Sequence, residues 1–282
     1  MSYASRRTVL TAALAVTATG VGVPLGAAAP AQAATDLYAS NTDLYTQLAG
    51  REGLDFARRY KRHDRTDTDQ SATTYPFTRT AVLALHGGGI EVGTSELALA
   101  IAGYHPATLT PRYGAEAPLH DYWMFEGLKS SGNSALHVTS THCDDHVALS
   151  LAAGALNVIS VHGCTATQAG APAARPEAVV IGGLNATLRG HLHDTLDAAG
   201  FQTIDASPDG DIAGVDPKNI CNRTLLGQGA QLELTTELRA SMFTVNTRQG
   251  RPGSTTDVFW NFAGAVREAI VRMEGEASQV IL

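Results

Sequence analysis

The sequence predicts an α/β domain built on a mixed, largely parallel central sheet with helices on both faces. Three observations carry this. Apolar, β-branched runs at Thr80 to His86, Asn157 to Gly163 and Ala178 to Gly183 have the length and composition of buried strands. Segments with helical spacing alternate with them, which calls for crossover units. Two of the runs end alike, Leu85-His86-Gly87 and Val161-His162-Gly163, and so set imidazoles at the carboxyl edge of the sheet, where such sheets bind ligands.

Residues 1–33 stand apart from that domain. Ser5-Arg6-Arg7-Thr8-Val9-Leu10 is a twin-arginine start, an alanine-rich apolar run follows, and Ala31-Gln32-Ala33 is an A-x-A cleavage site. The run is rich in Ala, Thr and Gly and is closed by Pro24 and Pro30, which argues against a membrane helix. A secreted catalytic domain over residues 34–282 is expected, free of the membrane once the leader is cleaved. Because a twin-arginine route carries folded proteins, it also favours a bound ion.

The 282 residues include 20 Lys and Arg against 27 Asp and Glu, a net charge of −7. Loss of Arg6 and Arg7 with the leader makes the balance more acidic still. That argues against nucleic acid as a partner, and a polyanionic substrate would need a local cluster of arginines. Cys143, Cys164 and Cys221 allow at most one intramolecular disulfide. The pair expected is Cys164 with Cys221, each beside a segment near the strand ends.

In chain order, Asp43 to Gly50 reads as a short helix and Leu54 to Arg62, with its mixed apolar and charged residues, as an edge strand. Asp64 to Ser71 is polar and reads as a loop. Thr80 to His86 is the first central strand, and Thr94 to Gly103 is a helix. A loop holding Pro106, Pro111 and Pro118 follows. Tyr122 to Gly127 is an aromatic strand, Ser130 to Ser134 a turn, Leu136 to Ser140 extended, and Asp145 to Ala153 helical. After the strand at Asn157 come the strand at Ala178, a helix from Asn185 to Ala199 stopped by Gly200, and a strand from Gln202 to Ala206. Gly229 to Leu234 is a strand with a carboxylate amid apolar neighbours. Helices at Thr235 to Met242 and Asp257 to Met273 close the domain.

If the strands ending near His86, His162 and Glu233 are neighbours, their side chains meet at one edge. The glycines of Gly87-Gly88-Gly89 permit a tight turn that brings in Glu91. Two His and one carboxylate, with a fourth position left for water, are what a catalytic zinc requires. His86, Glu91 and His162 are therefore the candidate metal ligands. Glu233, between Leu232 and Leu234, suits a general base that takes a proton from water and delivers it to a leaving amine. The alternative for Glu233 is an ion pair with a buried arginine such as Arg223 or Arg239. Glu96 competes with Glu91 but falls in a first helical turn, where a carboxylate suits the dipole. A rival metal cluster is His137, His142, Cys143, Asp144, Asp145 and His146, in which His142 and His146, four apart, could share a helix face; with no second-helix partner evident, it reads rather as a wall of the site.

Seven stretches, taken together, resemble the poly-γ-glutamate hydrolase family: Leu85 to Glu96, Ser131 to Ser134, Leu136 to His142, Val161-His162-Gly163, Ile181 to Asn185, Asn219 to Arg223, and Gln231 to Leu234. The resemblance implies a zinc-carboxypeptidase-like core and hydrolysis of the γ-amide links of poly-γ-glutamic acid. It implies zinc on His86, Glu91 and His162, with Glu233 as catalytic carboxylate. This chain has four residues between the first His and the Glu where carboxypeptidases have two. A γ-glutamyl polymer carries one free carboxylate per residue, which a planar guanidinium matches. Arg223 and Arg239 are the candidate substrate-binding residues, together with Asn222 and His142. The pair Asn222-Arg223 is similar to the carboxylate clamp of carboxypeptidases but follows the second His instead of preceding it. Two other functions are compatible with the same residues. One is a zinc peptidase or amidase acting on another γ-linked peptide, such as a cell-wall stem peptide. The other is a binding protein without turnover, against which the base Glu233 argues.

Overall fold

A computed structural model describes residues 36–63, 79–114 and 117–279. The leader expected over residues 1–33 and the polar loop expected over residues 64–71 lie outside the described residues. Seven strands form one sheet: β1 Phe56–Lys61, β2 Thr80–Gly88, β3 Asp121–Gly127, β4 Asn157–Cys164, β5 Val179–Gly182, β6 Thr203–Asp205 and β7 Ala230–Thr235. Their spatial order is β1-β3-β2-β4-β7-β5-β6. The four central strands β3, β2, β4 and β7 are parallel. On one side β1 runs antiparallel to β3, and on the other β5 runs antiparallel to β7, with β6 parallel to β5. The mixed sheet expected from the sequence is thus present, and its parallel part is the middle.

Helices cover both faces, as continuous apolar strands require. On one face lie α2 Thr94–Ala102, α5 Ala186–Ala198, α6 Thr236–Ser241 and α7 Asp257–Glu274. There Val82, Ala84, Ile159, Val161, Leu232 and Leu234 of the strands pack on Leu188, Leu192, Phe259, Phe262, Val266 and Ile270. The last four are spaced so that they line one stripe of α7. The opposite face holds α1 Asn41–Gln47, α3 His146–Ala153 and the segment between β3 and α3. Leu83, Leu85 and Val158 pack there against Leu44, Leu136, Val138 and Leu151. The short α4 Ala166–Ala169 follows β4.

Side-chain caps fix the helix starts where Asp, Asn or Thr precedes an apolar run. Asp145 accepts from the Val147 and Ala148 amides, Asn185 from that of Leu188, and Thr256 from that of Phe259. Edge strand β1 carries Arg58, Arg59 and Lys61, charges that guard an open edge against further pairing.

The stretch from Leu136 to Ser140 has extended backbone at His137, between short 3-10 turns at Asn133–Leu136 and Ser140–His142, with Leu136 and Val138 buried against the core. The expected Cys164 to Cys221 disulfide is absent, and all three cysteines are free and buried. Cys164 packs with Ala169 and Val180, whereas Cys221 belongs to the core of the other face, so the two thiols lie in different clusters.

Candidate metal centre

The strands β2, β4 and β7 are consecutive in the sheet, and His162 lies directly across from Glu233 in their register. Simple alternation would send His86 to the same face as Val82 and Ala84, away from His162. A β-bulge prevents this. Between Ala84 and Gly87 the register of β2 against β3 gains one residue, and an extra residue re-aims the side chains that follow it. His86 therefore turns to the face of Leu136 and Val138, where its Nε2 meets the Val138 carbonyl at 2.9 Å.

The glycine turn then closes on this imidazole. Gly88 has φ +66, and a side chain there would collide with the backbone of Gly127. The Glu91 amide donates to the His86 carbonyl at 2.7 Å. Its carboxylate folds back so that Oε1 lies 2.8 Å from His86 Nδ1, while Oε2 accepts from the Gly163 amide at 2.8 Å. Gly163 is small for a separate reason: a Cβ there would stand 2.5 Å from Arg239 Cζ.

The hydrogen bonds assign the ring protons. The Val138 carbonyl can only accept, so His86 Nε2 carries its proton and Nδ1 presents a lone pair. His162 Nε2 sits 2.9 Å from Ser160 Oγ and 3.3 Å from Ser140 Oγ. Its Nδ1 is 3.1 Å from His86 Nδ1 and 3.6 Å from Glu91 Oε2. With the Nε2 proton directed to a serine, His162 also turns a lone pair inward. Two imidazole nitrogens and a carboxylate, all electron-rich, thus converge on one point. Like groups at this separation repel unless a proton or cation lies among them, and nitrogen and oxygen donors of this kind suit zinc. The residues present fit the ion.

His137 borders the same point. Its ring stacks on His86 with centroids 3.9 Å apart, its Nδ1 is 2.8 Å from Asp36 Oδ1, and His86, Glu91 and His137 offer ligand atoms within 4.8 Å of one another. The sequence favours a wall position for His137 and leaves a metal role as the lesser alternative for its cluster.

Burial raises the Glu91 carboxyl, but when a proton lies among these groups the charge and hydrogen bonds of the His86 and His162 rings outweigh burial and hold Glu91 well below the usual carboxylate range. Glu233 goes the other way: burial, then the negative charge of Glu91, push it well above its ordinary value, against the opposing charges of Arg239 and of any proton or cation at His86. Glu233 Oε1 accepts from Gln231 Nε2 at 2.9 Å, and Gln231 Oε1 accepts from Asn219 Nδ2 at 2.9 Å. A relay of two amides, not a guanidinium, orients the carboxylate. Gln231 and Ser160 each lie two residues before a site residue on the same strand face, a period-of-two signal present in the sequence.

The other expected residues separate. Arg239 stands beside the centre, but its guanidinium donates to the carbonyls of Leu234 at 3.1 Å, Val92 at 2.8 Å and Cys164 at 3.4 Å. It ties the ends of β4 and β7 to the turn after β2. The side chain of Asn222 is taken up by backbone: its Oδ1 accepts from the Leu184 and Gly229 amides, and its Nδ2 donates to the Gly214 and Asp216 carbonyls. No hydrogen-bonding capacity is left for a ligand. Arg223 is exposed just after Asn222, with its charge near Cys143. His142 is exposed, 3.5 Å from Asp36 Oδ2. Glu96, the competitor of Glu91, is paired with buried Arg251 at 3.0 Å.

A family model described as poly-gamma-glutamate hydrolase matches residues 58–265. The UPF0714 protein YndL of Bacillus subtilis (strain 168) is 36% identical over 181 residues, 64% of this chain and 63% of its own length. The SPbeta prophage-derived UPF0714 protein YoqZ of the same strain is 34% identical over 198 residues, 70% of this chain and 64% of its own. The chain thus spans a little under two thirds of the length of these relatives. Two solved structures are similar at a TM-score of 0.68 and 28% identity. One, described as YNDL in a zinc-free apo form, is matched over 85% of this chain and 99% of that one. The other, described as a bacteriophage poly-gamma-glutamate hydrolase, is matched over 86% and 99%.

Proposed function

The chain belongs to the poly-γ-glutamate hydrolase family, and from that premise we propose that it is a zinc-dependent hydrolase of the γ-amide bonds of poly-γ-glutamate. The observation that carries this reading is the convergence of His86 Nδ1, His162 Nδ1 and the Glu91 carboxylate beside Glu233. A zinc-free form of a similar protein supports the choice of ion.

His86, Glu91 and His162 would hold the metal, and His137 borders it. Zinc bound there supplies a Lewis acid for the amide carbonyl, acidifies a water, and offsets the Glu91 charge that raises Glu233. Glu233 accepts the proton of the attacking water on its carboxylate and passes it to the departing amide nitrogen. Gln231, fixed by Asn219, keeps one carboxylate oxygen in place while the other handles the proton. The Glu91 carboxylate accepts from the Gly163 amide and so ties the loop after β2 to the end of β4. Ser160 and Ser140 hold the outer nitrogen of His162, and the Val138 carbonyl that of His86, which fixes the tautomers that present Nδ1.

The expected export fits this substrate, since a long polyanion would meet the enzyme outside the cell. We propose that the leader over residues 1–33 directs the folded protein through the twin-arginine route. The test is incubation of purified, zinc-loaded protein with poly-γ-glutamate, with and without a chelator, followed by sizing of the polymer. Shortening that the chelator abolishes supports the reading, and unchanged polymer in the zinc-loaded sample contradicts it.

A further inference from the structure

Beside the centre lies a cavity of about 760 Å³, within the roughly 300–1,000 Å³ range of ligand pockets. Its walls are the glycine turn on either side of Glu91 (Gly89, Ile90, Val92), the turn from Leu128 to Ser134, and the segment from Asn246 to Arg251. Its charge is one-sided. Lys129, Arg248 and Arg251 line it, with no carboxylate among the lining residues, in a chain whose net charge is −7.

The walls are held. Asn133 accepts from the Lys129 amide at 3.0 Å and donates to the Lys129 carbonyl at 2.8 Å, which locks the serine-rich turn. Arg251 is buried, and its guanidinium donates to Glu96 at 3.0 Å and to the Gly88 carbonyl at 2.9 Å, which ties the far wall to the end of β2. Glu96 answers the charge of Arg251. Lys129 and Arg248 are both half-buried, and neither is ion-paired among the described residues. Lys129 has the Asp55 carboxylate nearby, but Asp55 is already paired with Arg51 at 2.8 Å. Lys129 and Arg248, among Ser130, Ser131 and Ser134, line a space that adjoins the residues flanking Glu91.

We propose that this cavity is a subsite for the free carboxylates of a γ-linked glutamyl chain beyond the amide being cleaved, with Lys129 and Arg248 as the residues that set preference for chain length. The inference rests on the proposed function and deepens it. A chain with one carboxylate per residue that crosses the centre would lay successive carboxylates along this basic wall. A dimer would end before it.

The test measures binding of fluorescently labelled γ-linked hexaglutamate and diglutamate to the zinc-loaded Glu233→Gln protein, in which turnover is suppressed. The hexamer is expected to bind at least about tenfold more tightly than the dimer. Combined Lys129→Ala and Arg248→Ala substitution is expected to weaken the hexamer by roughly tenfold to a hundredfold, as loss of charge-assisted bonds does, and to flatten the salt dependence. Arg248→Lys, which keeps the charge, is expected to restore part of the loss relative to Arg248→Ala. Equal affinity for the two lengths, or a double variant that binds hexamer as the parent does, overturns the assignment. Polymer cleavage by the otherwise native enzyme separates the two readings: cleavage with length-blind binding removes the subsite alone, and absence of both cleavage and hexamer binding removes the subsite together with the proposed function.

Discussion

The inner ring nitrogens of His86 and His162 face each other at 3.1 Å across the ends of two adjacent parallel strands. Their outer nitrogens are bound to a carbonyl and to serine hydroxyls, so neither ring can turn away without breaking a buried hydrogen bond. From this relationship and its surroundings, several outcomes are expected.

Glu233→Gln keeps the size of the side chain and its contact with Gln231 but removes the basic oxygen. Turnover of polymer should fall by about two to four orders of magnitude, the contribution of a general base, while zinc content measured by atomic emission stays near that of the parent. A rate close to that of the parent would assign the proton transfer to another group.

Arg239 serves the scaffold. Arg239→Ala removes its donors from the carbonyls of Leu234, Val92 and Cys164, of which Cys164 keeps the Thr236 hydroxyl. A loss of about 2 to 4 kcal/mol of stability is expected from unsatisfied buried groups and a cavity, read from the denaturant midpoint. A stable variant with a raised KM would instead make Arg239 a substrate residue.

Glu274 supplies a dependence on pH. Burial raises its carboxyl above the ordinary 4.5, against the lowering effects of the Thr80 hydrogen bond and Arg79. The folded state therefore holds a proton that the unfolded state has released, so this group's contribution is full below pH 4.5 and is lost as pH rises through the folded-state value. Glu274→Gln, which cannot titrate, should gain stability relative to the parent on going from pH 4 to pH 7. Thermal melts at the two pH values check the sign, and a difference that is constant or reversed would contradict it.

The cysteines should behave as three thiols. Burial pushes the Cys143 thiol up to about 12 and raises Cys164 and Cys221 as well. Native protein should react slowly with a thiol reagent, and denatured, unreduced protein should titrate all three. Recovery of one thiol alone would restore the disulfide.

Much of this was legible in the residues. The strand runs, the helices with their Asp, Asn and Thr caps, and the glycine turn before Glu91 all carry local signals, and the parallel middle of the sheet follows from their alternation. The bulge after Ala84 was not legible, because nothing in Ala84-Leu85-His86 distinguishes a regular strand from one with an added residue, although the facing of His86 depends on it. Nor did the strand ending at Leu234 announce that it would lie between β4 and β5, since nonlocal pairing is not written in any one segment. In the sequence Asn222 beside an arginine resembles a ligand-binding pair, whereas in the fold its amide is used up by four backbone groups. His137 and Asp36 are separated by a hundred residues, and only the folded chain brings them together at the wall of the centre.

The proposed chemistry needs one ion held by His86, Glu91 and His162. Anomalous diffraction at the zinc absorption edge from crystals of the zinc-loaded protein tests it most directly. The expected result is a single strong peak within about 2.0 to 2.2 Å of both Nδ1 atoms and of a Glu91 oxygen. A peak bound by other side chains, or none in protein shown to be fully active, would contradict it.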